Sequence, residues 1–100
     1  MDKSADCGAW SINQELFEDK TQIAKEYRDI FEEAVEGQKG AGYAPLLYCG
    51  HQLVSGMNYM FIARQTLTTH PLQYHIVKMV INKKGEDKAA IVRDMLEVLI

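Results

Sequence analysis

A change of hydrophobic period constrains this chain more than any other feature. Between residues 20 and 36, Ile23, Tyr27, Ile30, Phe31 and Ala34 recur at helical spacing. Lys25, Glu26, Arg28, Asp29, Glu32 and Glu33 fill the opposite face. Beyond Gly42 the apolar residues alternate instead, which places successive side chains on opposite faces of a strand. One amphipathic helix must therefore lie on something apolar, and the strands that follow it supply that surface. A helix followed by a run of strands implies an α+β fold.

The spacing predicts the helix over residues 20–36, with Asp19 or Thr21 accepting the first backbone N–H bonds and Gly37 ending it in a left-handed conformation. Residues 9–12 read as a short first strand with Trp10 and Ile12 on one face. Residues 43–52 read as a strand weakened by Pro45, which lacks a ladder donor, and by Gly50, which packs nothing. Both imply an edge, a bend or a bulge.

Residues 57–68 form the next strand, with Phe61, Ala63 and Leu67 alternating with Met60, Ile62 and Arg64. Residues 74–82 form another, with Val77, Met79 and Ile81 opposing Ile76, Lys78 and Val80. Turns fall around Pro71 and Gly85. The tail, residues 88–100, fits either a helix through Ile91, Val92, Met95, Leu96 and Leu99 or a further strand. The expected architecture is one long helix on a curved antiparallel sheet of four to five strands, spanning residues 9–100 behind a flexible arm of residues 1–8.

At 100 residues the chain is sized for one domain. A net charge of −3 with scattered Lys and Arg gives no basic surface for nucleic acid or an acidic membrane, so neither is expected as a partner. No apolar run approaches the length of a membrane helix. No secretory leader is visible, so the location is unknown, or cytoplasmic if the chain as given is complete. Cys7 and Cys49 are too few for a disulfide framework, although one bridge between them is open.

Gln52, Leu53, Val54, Ser55 and Gly56 sit between two strands, which is a hairpin signature. Followed by Asn58 and Tyr59, they resemble the Q-x-V-x-G motif of the cystatin superfamily. With the helix–meander order, the resemblance covers nearly the whole chain and is nearest to the stefin branch. Gly8, Ala9, Trp10 and Ser11 also resemble the Gly-x-Trp-Ser of small bacterial cystatin-like proteins.

The resemblance implies a reversible inhibitor of papain-like cysteine proteases, with no cofactor, no metal and no catalytic residue of its own. It assigns protease binding to Gly8, to Gln52, Leu53, Val54, Ser55 and Gly56, and to a second hairpin with His70, Pro71 and Leu72. Asp6 and Cys7 stand where the family offers apolar side chains, and the second hairpin has no Trp. Both departures bear on potency, since large aromatic anchors dominate interfaces.

Two other classes stay open. One is a non-inhibitory binding or dimerisation module of the same fold, monomeric or domain-swapped; the other is a small ligand-binding domain. Cys49 and His51 stand two apart on one strand and can share a side, which would suit a thiolate–imidazole pair or part of a metal site, but no third ligand or orienting residue accompanies them.

Overall fold

The structure, a computed structural model, describes residues 8–99. The expected Cys7–Cys49 alternative and most of the N-terminal arm lie outside these residues. Strand β1 (Trp10–Ile12) leads through a short 3-10 turn (Gln14–Glu18) to helix α1 (Lys25–Val35). Four long strands follow: β2 (Ala41–Val54), β3 (Gly56–Leu67), β4 (Gln73–Lys83) and β5 (Ile91–Leu99). They form one five-stranded antiparallel sheet in the order β1-β2-β3-β4-β5.

The helix packs on the face carrying Tyr48, Phe61, Ala63, Val77, Met79 and Ile81. Period two explains that selection: Phe61 and Ala63 on β3, and Val77, Met79 and Ile81 on β4, point the same way. Aromatic rings fasten the layers. Tyr27 stacks on Tyr48 with centroids 4.0 Å apart, and Phe31 meets Phe61 edge to face at 5.1 Å. Lys83 on β4 adds an ion pair to Glu33 on α1 at 2.8 Å.

The helix starts later than its spacing predicts. Its N-cap is Ala24, which makes no side-chain cap bond. Asn13 instead caps the 3-10 turn by accepting from the Glu15 N–H, and Asp19 ends that turn at φ 60°. Asp19 is thus committed to closing one element, and neither it nor Thr21 opens the next. Ile23 is buried all the same, as a lead-in residue rather than a helical one. At the other end Gly37 takes φ 83°, as expected.

Pro45 and Gly50 mark two bulges in β2, at the register shifts between Pro45 and Leu47 and between Tyr48 and Gly50. Gly50 is also where β1 crosses closely, because a Cβ there would collide with the Ser11 carbonyl oxygen. The ambiguous tail is strand β5. Among the described residues no helix is long and apolar enough to cross a membrane.

Candidate functional site

A meander alternates its turns between the two ends of the sheet, and that alternation decides which segments can act together. The β2–β3 hairpin pairs Val54 with Gly56 across Ser55. The β4–β5 connection, residues 84–90, lies at the same end, because Met57 pairs with Lys83. Gly8 joins them: its N–H donates to the Leu53 carbonyl at 2.8 Å, and Gln52 Nε2 donates to the Gly8 carbonyl at 2.8 Å. Gly8 has φ 95°, a left-handed conformation that suits glycine.

His70, Pro71 and Leu72 do not join this site. They occupy the β3–β4 turn, beyond the Leu67–Gln73 pair, at the far end of the sheet. The 12 residues of β3 separate the two ends, a span of about 36 Å at the usual strand rise. Contrary to expectation, residues 70–72 therefore do not lie with Gly8 and the hairpin 52–56; the connection that does is residues 84–90, for the plain reason that consecutive hairpins face opposite ways.

Gly56 holds the hairpin against that connection. Its φ is 81°, and a Cβ there would lie 2.5 Å from Lys84 Cα and 2.6 Å from the Lys83 carbonyl oxygen. The obstacle is backbone, which cannot swing aside. Lys84 Nζ also donates to Ser55 Oγ at 3.4 Å.

Beneath the hairpin runs a chain of side-chain amides. Asn82 Nδ2 donates to Asn58 Oδ1 at 2.8 Å, Asn58 Nδ2 donates to Gln52 Oε1 at 2.9 Å, and Gln52 passes on to Gly8. Asn82 also reaches the Ser55 carbonyl at 3.4 Å. Asn58 and Asn82 are the two buried polar residues among those described. Burying an amide without a partner is costly, so their mutual bonding is what allows them there. Neither was singled out from the sequence as a site residue, although two asparagines inside strands are a signal, since strands are depleted in Asn.

The tip is small and partly apolar. Leu53 and Ser55 are exposed, while Gln52, Val54 and Gly56 are half-buried. Lys84 stands beside the tip, at the start of a connection that also carries Glu86, Asp87 and Lys88.

Cys49 and His51 do not share a side. Cys49 is the extra residue of the second bulge and lines an apolar hollow of about 240 Å³ with Trp10, Ile12, Leu16 and Met60. His51 Nδ1 sits 3.5 Å from Tyr48 Oη on the helix-facing side. Burial pushes the Cys49 thiol above its ordinary pKa, a backbone bond from Ile62 opposing only in part. Burial likewise raises the Tyr48 and Tyr59 phenols, with Tyr27 adding to the effect. Among the described residues no group of three His, Cys, Asp or Glu side chains has the arrangement of a metal site.

No protein-family model matches the chain, and no curated protein and no solved structure matches it either.

Proposed function

We propose that this chain is a cystatin-type inhibitor of papain-like cysteine proteases, and no enzyme itself. Its wedge consists of Gly8, the hairpin 52–56 and the connection 84–90. The observation that carries this reading is convergence: three segments far apart in sequence meet at one end of the sheet, two of them joined through Gly8 by bonds of 2.8 Å. One helix on a five-stranded antiparallel meander is compatible with the cystatin fold.

A pre-formed edge loses little conformational entropy on docking, so its contact energy survives as affinity. Leu53 and Val54 supply the apolar contact, and Ser55 and Gly56 keep the edge thin enough for a narrow cleft. The wedge fills the cleft without using the protease's catalytic thiolate, so binding is reversible and leaves the chain uncleaved.

Calorimetric titration of papain whose catalytic cysteine has been alkylated with a small reagent tests this. One-to-one binding is expected, because the wedge needs the cleft and not the thiolate. No binding at high micromolar concentration would overturn the proposal.

A further inference from the structure

Both ends of the Gln52 amide are occupied within the chain. Its Nε2 donates to the Gly8 carbonyl at 2.8 Å, and its Oε1 accepts from Asn58 Nδ2 at 2.9 Å. Asn58 accepts in turn from Asn82 Nδ2 at 2.8 Å. The two asparagines pair directly across β3 and β4. Period two puts them on the face away from the helix, opposite to Phe61 and Met79, where a polar side chain can point to water. They are nevertheless only 6% and 1% exposed. Amides that forgo water in such a place are held by their bonds to one another.

The direction of the row follows from its ends. A carbonyl oxygen only accepts, so Gly8 requires the Nε2 end of Gln52. Gln52 then shows Oε1 to Asn58, which has to donate, and Asn58 shows Oδ1 to Asn82, which has to donate as well. At the other end the Ser55 carbonyl, 3.4 Å away, requires the same of Asn82. Two backbone carbonyls, one on the arm and one at the hairpin tip, thus impose one orientation on three amides. Aligned amides polarise one another, so the row acts as a unit. A break inside it propagates outward: without the Asn58 donor, the half-buried Gln52 can turn to water and release Gly8.

We propose that Gln52 is a positioning residue rather than a protease contact: with Asn58 and Asn82 it fixes Gly8 against β2, so that the N-terminal arm and the hairpin 52–56 engage the protease as one coupled unit. The resemblance assigns Gln52 to protease binding, whereas its amide is spent inside the chain. The fixing of Gly8 stands on the bonds alone; its use in inhibition rests on the protease reading.

Hydrogen exchange at the Gly8 amide, followed by NMR in the full chain with no protease present, tests the positioning. Gln52→Ala should speed Gly8 exchange about tenfold, the loss of one hydrogen bond. Gln52→Glu keeps the length and the acceptor for Asn58 but cannot donate to the Gly8 carbonyl, so it should match Gln52→Ala. Asn58→Ala should speed Gly8 exchange too, although Asn58 makes no bond to Gly8. Gln52→Ala/Asn58→Ala should be no faster at Gly8 than Gln52→Ala, since both break one row. Protection at the core amides of Phe61 and Met79 shows that each variant is folded, and Gly8, near the terminus, reports local opening instead. An unprotected Gly8 amide in the native chain would overturn the proposal, as would a Gly8 rate unmoved by Asn58→Ala or by Gln52→Glu.

Calorimetric titration of alkylated papain reads the coupling. Gln52→Ala and Asn58→Ala should each bind about tenfold more weakly, and the double variant no more weakly than Gln52→Ala. Losses that multiply in the double variant would make Gln52 a contact in its own right and overturn the proposal. A native chain that does not bind papain defeats the protease reading, while the exchange series still decides whether the row holds Gly8.

Discussion

Asn82 donates to Asn58 Oδ1 at 2.8 Å, and both amides are buried between strands β4 and β3. Through Asn58 that bond continues to Gln52 and Gly8, so the position of the exposed N-terminal glycine is set by a residue 74 positions along the chain. Asn82→Ala would strand the Asn58 oxygen in a buried site. The expected cost is about 1–3 kcal/mol of stability in urea unfolding. Gln52→Ala breaks the exposed last link and should cost less than Asn82→Ala, while loosening Gly8.

Glycines with similar backbone angles should differ sharply in tolerance. Gly56 has positive φ and backbone atoms 2.5–2.6 Å from where a Cβ would sit; Gly37 has positive φ and open space. Gly37→Ala should cost about 1 kcal/mol, the conformational term alone. Gly56→Ala adds a clash with the β4–β5 connection and should cost more, with its effect concentrated at the hairpin end. Thermal unfolding of the two variants, compared at one pH, measures the difference.

The elements that were legible in the sequence are those whose pattern is local. The face of α1 followed from Phe31 and Ala34 at helical spacing, and Pro45 and Gly50 announced the two bulges of β2. What was hidden depends on neighbours far along the chain. Asp19 looks like a helix cap until Asn13 and the 3-10 turn claim it. The tail fits two periods until β4 offers an edge to pair with. Cys49 and His51 separate because a bulge shifts the alternation between them. The hairpin 52–56 was readable as a motif, whereas the place of its companion loop required the direction of every strand.

The ion pair between Lys83 and Glu33 should show in the pH dependence of stability. The Lys83 ammonium, with a backbone bond from Ala90, holds the Glu33 carboxyl below its ordinary pKa. A lowered folded-state pKa means the contribution is complete above the unfolded value and is lost as pH falls through the folded one. Glu33→Gln should therefore be less stable than the native chain at neutral pH. The gap should close in acid, once Glu33 is protonated in both states. Urea titrations at neutral pH and near pH 2 would check this.

Phe31 and Phe61 are fully buried and meet edge to face. Phe31→Ala removes the main apolar anchor between helix and sheet and is expected to cost about 3–5 kcal/mol. Near-ultraviolet circular dichroism should also lose intensity, because the Tyr27–Tyr48 stack sits on the same interface.

The most direct test is a titration of papain activity against the native chain and two variants at opposite ends of the sheet, Val54→Asp and Leu72→Asp. The native chain and Leu72→Asp should inhibit alike, with half-inhibition below ~1 μM. Val54→Asp should lose inhibition by a hundredfold or more, since about 3 kcal/mol of apolar contact and desolvation is at stake. Unchanged papain activity at high excess of the folded native chain would contradict the inhibitor proposal. Loss of inhibition in Leu72→Asp but not in Val54→Asp would place the wedge at the wrong end.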